Sequence, residues 1–329
     1  MRKVLVTGAN GFLGSYVCRE FAAAGYAVRA LLRKNSDLSL LKGATYEPVF
    51  GDVRDPESLR TAMQGVEIVL HIAAVFRTAK HSDSYYFDVN LEGTRHVFDQ
   101  AIAAGVKRIV HCSTIGVHSS IKNPPANETE PYSPTDVYQV SKCEGEKLAL
   151  NYFKTGKIEG SVIRPAMIWG PGDTRFLKMF KAIARRRFPM IGSGKIWTHW
   201  IFVSDLARSF RLAAEKANGQ GEIYIIAGAT PKTLNEVVLA VAHEYGVKPL
   251  GLRIPVWPIQ ILGSIVEAIC KPLGLEPPLH RRRADFFIKN RAFDCSKAKT
   301  DLGFQAEHSF AEEVRIIAAW YKQSGMLTP

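Results

Sequence analysis

The chain has 329 residues, of which 47% are hydrophobic and 22% are charged, fractions that are typical of a folded globular protein and exclude a fibrous or disordered chain. This length allows one large domain or two modest ones with a substantial core. The formal net charge of +12 comes partly from clusters at 185–187 and 281–283, but no nucleic-acid-binding motif accompanies them, so a solvated basic face is predicted and nucleic acid is not a predicted partner.

The first predicted element is an apolar strand, Val4–Val6, that leads into three glycines and a helix from about residue 12 to residue 24. The glycines, Gly8, Gly11 and Gly14, allow a tight turn and a close approach to a pyrophosphate, whose charge the N–H groups at the helix start attract. Their spacing is one residue wider in the first gap than the common fingerprint. The segment predicts a dinucleotide site, with a plain tight loop as the alternative.

Strands and helices then alternate with short turns through the first half of the chain. The sequence predicts strands at 26–32, 46–50, 67–71, 108–113 and 160–163, and helices at 56–64, 88–104 and 136–153. Parallel strands joined by right-handed helical crossovers produce this order. The predicted fold class is therefore α/β, a Rossmann doubly wound parallel sheet.

The regular alternation ends at about residue 169. Short helices are predicted at 175–187, 205–217 and 233–245, and short strands at 200–203 and 223–227 that return to the sheet. We predict a dinucleotide-binding domain at 1–170, with 196–228 returning to it. Residues 171–195 and 229–329 are expected to form most of a smaller, interleaved C-terminal substrate lobe.

The end of the second strand indicates which coenzyme binds. An acidic residue in this turn usually holds the ribose hydroxyls of NAD, but here the turn contains Arg33 and Lys34. Arg33 suits a 2′-phosphate, which favours NADP(H) and leaves NAD(H) as the alternative. Asp52, at the end of the third strand, is placed to hold the adenine amino group, although a turn or capping role is also open.

A tyrosine and a lysine carry the predicted chemistry. Tyr138 and Lys142 lie one helical turn apart on one face, and a nearby ammonium favours the phenolate form of a tyrosine. Ser113 and Thr114 end the fifth strand, at the sheet edge where such folds place ligands. Asn90 is predicted to start the helix between strands four and five.

These motifs occur in one order: Thr-Gly-x-x-Gly-x-x-Gly, His71-x-Ala-Ala, Asn90-x-x-Gly-Thr, Ser-Thr, Tyr-x-x-x-Lys and Arg164-Pro165. Together they resemble the extended short-chain dehydrogenase/reductase family. The segments at 169–173, 201–206 and 296–304 also look like parts of it, so the resemblance covers nearly the whole chain. It implies an NAD(P)-dependent enzyme that acts on CH–OH groups.

The resemblance also implies roles for single residues. Tyr138 would be the general acid/base, Lys142 would lower its pKa and hold the nicotinamide ribose, and Thr114 would hydrogen-bond the substrate oxygen. Ser113 is the alternative to Thr114, and Asn90 would support a proton relay. The residues implied to line the cofactor are Gly8, Asn10, Gly11, Phe12, Leu13, Gly14, Arg33, Asp52, Val53, Ala73, Ala74, Tyr138, Lys142 and Pro165.

Two branches of the family compete for the substrate. Residues 25–33 are similar to NADP-dependent dihydroflavonol reductases, and 257–279 look like 3β-hydroxysteroid and 4-carboxysterol dehydrogenases, so a lipophilic secondary alcohol or ketone is expected. The alternative is a nucleotide-sugar epimerase or dehydratase. Such enzymes usually bind the diphosphate with an arginine, and this chain has Thr198 at that position. Arg282 or Arg283 would match a second phosphate ligand. A catalytically silent cofactor-sensing protein is disfavoured because the catalytic set is complete.

Location and assembly complete the expectations. The sequence shows no signal-peptide pattern and no uninterrupted span of about 18 apolar residues. Its five scattered cysteines indicate reduced thiols, a cytoplasmic location and no metal site. The apolar segment 254–275 is expected to pack in the small lobe, with a pocket wall or a helix resting on a membrane as alternatives. The resemblance implies a homodimer.

Overall fold

The computed structural model describes residues 1–76, 82–216, 220–270 and 281–327. The strands are β1 Lys3–Thr7, β2 Ala27–Leu32, β3 Glu47–Phe50, β4 Ile68–His71, β5 Arg108–Cys112, β6 Glu159–Pro165, β7 Met167–Trp169, β8 Met190–Ile191, β9 Trp197–Thr198, β10 Trp200–Phe202, β11 Glu222–Ile226, β12 Lys232–Thr233 and β13 Arg253–Ile254. The helices are α1 Phe12–Ala23, α2 Pro56–Ala62, α3 Asp83–Phe87, α4 Gly93–Ala103, α5 Val137–Lys154, α6 Leu177–Ala184, α7 Val203–Glu215, α8 Leu234–Glu244, α9 Val256–Cys270, α10 Arg281–Ile288, α11 Ser296–Leu302 and α12 Phe310–Gln323.

A seven-stranded parallel sheet in the order β11-β6-β5-β4-β1-β2-β3 organises the fold. The order reverses direction between β1 and β4, which is the switch point where doubly wound sheets bind ligands. In register, Thr7 lies opposite His71 and His71 opposite His111, so the carboxyl ends of these strands meet at one edge. The predicted Rossmann fold is confirmed.

Helices cover both faces of this sheet. On one face α1 packs over β1 and β2 and α7 over β5 and β6, burying Val17, Phe21 and Phe210. On the other face α2, α4 and α5 bury Phe98 and Phe153. The central strands are therefore apolar on both sides, as parallel strands require. A third cluster, around Trp169, Phe180, Trp200, Val237 and Tyr321, forms the core of the smaller lobe.

Two predictions about elements were wrong. The segment Trp200–Phe202 does not return to the large sheet; it pairs in parallel with Met167–Trp169, because the chain leaves the sheet after Pro165 and Met167 N donates to His199 O at 3.0 Å. Residues 223–227 do return, as β11. The helix predicted from residue 88 begins at Asp83, and a π-helical turn at Asp88–Glu92 separates α3 from α4.

The other predicted boundaries match those of the structure to within three residues, which is close to the usual uncertainty of helix and strand ends. In the segment 254–275, α9 ends at Cys270, and residues 271–280 lie outside the described part. Among the described residues, no helix has the length and apolar character that a membrane crossing needs. Nor do these residues contain a cluster of His, Cys, Asp and Glu that suits a metal ion.

Candidate active site

A cavity of about 1020 Å³ opens at the carboxyl edge of the sheet, over the switch point. All fourteen residues that were predicted to line the cofactor lie on its wall, from Gly8 in the glycine turn to Pro165 at the end of β6. Ser113 and Thr114 lie on the same wall. Asn90, the remaining predicted catalytic residue, is not among the described residues that line it.

The glycine turn brings β1 close to both α1 and the loop after β4. Gly8 has φ of +70°, and a Cβ there would lie 2.8 Å from Ala73 N. A Cβ on Gly14 would lie 2.1 Å from Gly8 O, while Gly11 N donates to the same oxygen at 3.0 Å. Only glycine fits at positions 8 and 14, so the start of α1 packs directly on the strand end and presents its N–H groups to the cavity.

A buried chain of hydrogen bonds holds the strand ends below the cavity. Thr7 Oγ1 accepts from the two backbone N–H groups that follow His71, each at 3.1 Å, and so donates its proton to His71 Nδ1 at 2.9 Å. The other ring nitrogen then donates to Thr94 Oγ1 at 3.0 Å. Burial lowers the pKa of His71 to about 3, so the ring is neutral and this single tautomer satisfies both nitrogens.

Asn90 lies behind the cavity wall. Its Oδ1 accepts from Val75 N at 2.8 Å, and its Nδ2 donates to Ser141 Oγ at 2.9 Å. The side chain thereby joins the loop after β4, which contributes Ala73 and Ala74 to the cavity, to helix α5. It lies inside the π-helical turn, not at a helix start as predicted. Its part in a proton relay stays a prediction.

Tyr138 and Lys142 project from α5 into the cavity. Asp136 caps this helix by accepting from Gln139 N at 2.9 Å, and the Tyr138 ring packs edge-on against Phe76, with 5.0 Å between the ring centroids. Lys142 is only 3% exposed, and its Nζ donates to Cys112 O at 2.6 Å. Burial lowers the pKa of this ammonium. Tyr138 and Lys142 therefore line the same cavity from one helix, four residues apart.

The hydroxyls of Ser113 and Thr114 are used differently. Ser113 Oγ donates to the buried carboxylate of Glu146. Thr114 Oγ1 accepts from Gly116 N at 3.0 Å and caps the short 3-10 helix Ile115–His118. An accepting hydroxyl still has its own proton to donate. This arrangement favours Thr114 over Ser113 as the group that contacts a substrate oxygen.

At the end of the cavity next to β2 and β3, Arg33 is exposed and Asp52 is already paired. Arg54 donates to the Asp52 carboxylate through Nε at 3.0 Å and an Nη at 2.9 Å. These bonds hold the pKa of Asp52 below its usual range. Asp52 is therefore less available to an adenine amino group than the sequence indicated. The sequence analysis did not identify Arg54 as a partner of Asp52. A cation two residues after a carboxylate was the signal that could have suggested this pair.

Part of the cavity wall consists of apolar side chains that sequence reasoning missed. They include Phe76, Ile115, Met167, Ile168, Phe176 and Phe286. Arg175 also lies here; its Nε and an Nη donate to Asp173, each at 2.8 Å, and its guanidinium lies within 6 Å of three phenylalanine rings. These residues come from loops, the short 3-10 helix, β7 and α10, which carry no recognisable motif.

Thr198, one of the positions compared with nucleotide-sugar enzymes, makes its hydrogen bonds away from the cavity. Thr198 is buried, donates to Lys232 O at 2.8 Å and accepts from Trp200 Nε1 at 2.8 Å. It is not among the described residues that line the cavity. The suggested role of Arg282 or Arg283 concerns side chains outside the described part of the chain.

A doubly wound sheet with a glycine turn at its switch point, and a tyrosine–lysine pair in the same cavity, defines a nicotinamide-dependent oxidoreductase. The model of the NAD dependent epimerase/dehydratase family matches residues 4–227. The chain belongs to this family and is an oxidoreductase of it, which confirms the extended short-chain dehydrogenase/reductase resemblance and disfavours a catalytically silent protein.

Three similar proteins illustrate the range of the family. The chain is 27% identical over 308 residues to 4-hydroxy-2-methyl-3-oxo-4-farnesyl-3,4-dihydroquinoline-1-oxide ketoreductase of Stigmatella aurantiaca, which covers 92% of this chain and 91% of the relative. It is 28% identical to sterol demethylase protein B of Methylococcus capsulatus, over 98% of this chain and 99% of the relative. A crystal structure of a double mutant of DesIV, a dTDP-glucose 4,6-dehydratase from Streptomyces venezuelae with NAD bound, superposes with a TM-score of 0.77, 25% identity and coverage of 98% and 97%.

Proposed function

We propose that the protein interconverts a secondary alcohol and a ketone on a lipophilic, steroid- or sterol-like substrate, with Tyr138 as general acid/base. The observation that carries this proposal is the shared cavity: Tyr138, Lys142 and Thr114 line one cavity together with the glycine turn and a set of apolar side chains. An apolar wall gives affinity for a lipophilic ligand, and a few polar groups orient it.

The chain's own residues account for the proton chemistry. Bound nicotinamide cofactor would supply or accept the hydride. Tyr138 Oη would give its proton to the developing alkoxide, or take the proton of the alcohol in the reverse direction, while Thr114 donates a hydrogen bond to the same oxygen. The Lys142 ammonium would favour the phenolate of Tyr138. Its hydrogen bond to Cys112 O holds the ammonium at the end of β5.

The cavity residues also support a coenzyme preference for NADP(H). Arg33 is exposed at the end of β2 and lines the cavity, where its guanidinium suits a 2′-phosphate. No carboxylate follows β2 directly, and the nearby Asp52 is paired with Arg54. NAD(H), which is bound in the DesIV structure, is the alternative.

Nucleotide-sugar epimerase or dehydratase activity is the second candidate, which the similarity to DesIV supports. The apolar lining and the inward position of Thr198 argue against it. The test follows reduced-nicotinamide absorbance with NAD⁺ and NADP⁺ against 3β-hydroxysteroids, 4-carboxysterols and simple secondary alcohols. Turnover of lipophilic alcohols would support the dehydrogenase; no turnover together with tight nucleotide-sugar binding would favour the epimerase.

We further propose that the protein is cytoplasmic and contacts membranes through α9. Trp257 is 65% exposed, and Ile261 and Leu262 are each 53% exposed. Helix α9 packs against α10, which contributes Phe286 to the cavity, so this surface is close to the substrate end. Basic residues at 185–187, exposed on the same lobe, suit anionic lipid.

Sedimentation with anionic phospholipid vesicles at low salt tests this contact. Trp257→Ser with Ile261→Ser should abolish binding, while Leu239→Ser, which removes a similarly exposed apolar side chain from α8, should not. Failure of the unmodified protein to sediment would contradict the contact.

Two further assignments are proposals about organisation. The cofactor domain would comprise 1–170 with α7 and β11 added from the segment 196–228, and the rest would form most of the substrate lobe. A homodimer that pairs through α4 and α5 is expected, and light scattering at a known concentration tests it.

A further inference from the structure

We propose that Glu146 is a positioning residue, which clamps the end of β5 to α5 so that Thr114 and Tyr138 meet at one substrate oxygen. This inference rests on the proposed function. Glu146 is 0% exposed and follows Tyr138 and Lys142 at successive intervals of four residues, so all three lie on the same face of α5. Unlike the other two, Glu146 is not among the described residues that line the cavity.

The Glu146 carboxylate is surrounded by donors from three other elements. Ser113 Oγ at the end of β5 donates to it, Tyr132 Oη donates at 2.6 Å, and Arg164 on β6 donates through an Nη at 2.6 Å and through Nε. A carboxylate has about four lone-pair positions, and these donors occupy them. The group is fully satisfied and held in one orientation.

Arg164 is equally constrained. It is 1% exposed, and its guanidinium also donates to Glu128 O at 3.1 Å, His118 Nε2 at 3.0 Å and Tyr132 Oη at 3.1 Å. A buried ion pair often stabilises no better than apolar side chains of the same volume, and its best-attested use is to specify one arrangement. The pair here specifies how β5, β6 and α5 sit relative to each other.

The clamp acts on the residues directly beside the reaction. Cys112, Ser113 and Thr114 are consecutive; Cys112 O accepts from Lys142 Nζ at 2.6 Å, and Ser113 donates to Glu146. The two residues directly before Thr114 are therefore each hydrogen-bonded to α5. These two bonds determine where the Thr114 hydroxyl lies. A displacement of about 1 Å between reacting groups can cost about 10²-fold in rate.

A double-mutant cycle with Ser113→Ala and Glu146→Asp tests the clamp. Glu146→Asp keeps the charge beside Arg164 and shortens the reach by one methylene, whereas loss of the charge would leave a buried arginine uncompensated. Ser161→Ala is the matched control, because Ser161 is a buried serine on β6 whose Oγ has no hydrogen-bond partner among the described residues. Ser113→Thr restores a hydroxyl at position 113.

We expect Ser113→Ala and Glu146→Asp each to lower kcat by roughly 10- to 100-fold, with a cofactor Kd close to that of Ser161→Ala. Glu146→Asp should also lower the melting temperature, because its shorter side chain leaves buried donors of Tyr132 or Arg164 unpaired. The double variant should lose no more than either single variant, because both break one link, and Ser113→Thr should recover most of kcat. A merely structural role would lower the melting temperature and leave kcat of the folded protein unchanged.

Two results would overturn the inference. One is a Ser113→Ala variant as active as Ser161→Ala. The other is losses that multiply in the double variant, which would mean that Ser113 itself contacts substrate. Failure of the unmodified protein to turn over any secondary alcohol or ketone would instead defeat the proposed function, and this inference with it.

Discussion

Lys142 Nζ donates a 2.6 Å hydrogen bond to the carbonyl oxygen of Cys112, which joins the helix that carries Tyr138 to the strand end that carries Thr114. A buried ammonium is costly unless it is hydrogen-bonded, so this bond keeps a positive charge at the centre of the cavity. In the proposed function, this charge would favour the phenolate form of Tyr138, whose phenol is otherwise a weak base at neutral pH.

Replacement of Tyr138 by phenylalanine removes only the hydroxyl. We expect kcat to fall by roughly 10²–10⁴-fold, the usual contribution of a positioned acid/base, with unchanged melting temperature. Steady-state kinetics with the best substrate measures it. Tyr245→Phe is the control, since the Tyr245 hydroxyl is buried without a partner among the described residues. Activity near the unmodified level in Tyr138→Phe would refute its catalytic role.

Lys142→Met should move the pH dependence of alcohol oxidation. Without the ammonium, the Tyr138 phenolate forms at higher pH, so the rising limb of kcat/KM moves to higher pH.

The alkaline side of the pH profile should also differ. Burial lowers the pKa of Lys142 from the ordinary 10.5, so the unmodified enzyme should lose activity at alkaline pH as this ammonium deprotonates, and Lys142→Met should not. Lys147→Met, at an exposed lysine paired with Glu144, should leave the profile in place; a shift there as well would point to a general charge effect.

Gly14→Ala should impair cofactor binding. Its Cβ would lie 2.1 Å from Gly8 O, so the turn must move, at a cost of about 1–3 kcal/mol for such overpacking. Fluorescence titration with NADPH and thermal unfolding measure both effects. Gly251→Ala is the control, because a Cβ there meets no described atom within 4 Å. Unchanged NADPH affinity in Gly14→Ala would show that the cofactor does not bind at this turn.

Arg33→Ala tests the coenzyme assignment. A charge-assisted hydrogen bond contributes about 1.5–3 kcal/mol, so the preference for NADP⁺ over NAD⁺, measured as a ratio of kcat/KM, should fall by about 10- to 100-fold. Lys34→Ala removes the neighbouring charge, which does not line the cavity among the described residues, and should change the ratio little. An unaltered ratio in Arg33→Ala would place the selectivity elsewhere.

Glu313 should make the protein less stable as pH rises. Burial raises the pKa of this carboxyl from the ordinary 4.5 to about 8, despite a hydrogen bond from Trp169 Nε1. Between pH 4.5 and about pH 8, Glu313 is ionised in the unfolded chain but keeps its proton in the folded protein. The free energy of unfolding is therefore highest below pH 4.5 and falls as the pH rises to about 8. Glu313→Gln should flatten this part of a plot of melting temperature against pH, and Glu144→Gln, at a surface ion pair, should not. Parallel curves for the protein and Glu313→Gln would contradict the assigned pKa.

Local pattern was sufficient for the sheet, the glycine turn and the Tyr138–Lys142 pair, because each depends on short-range spacing. The sequence did not reveal the partner of Ser113, because Glu146 is 33 residues away and reads as an ordinary helical glutamate. Arg175 and Phe286 were missed for the same reason: they reach the cavity through loop and helix packing. Trp200–Phe202 has the apolar pattern of a sheet strand, and only its pairing with β7 separates it from the large sheet.

The most direct measurement of the central claim is isotope transfer from NADPH that carries deuterium at both C4 positions, so that transfer from either face delivers the label. Incubation with a lipophilic ketone, followed by mass spectrometry of the product, should show one deuterium on the new carbinol carbon, and Tyr138→Phe should nearly abolish its formation. An unlabelled product, or epimerisation of a nucleotide sugar without net oxidation of the cofactor, would contradict the account.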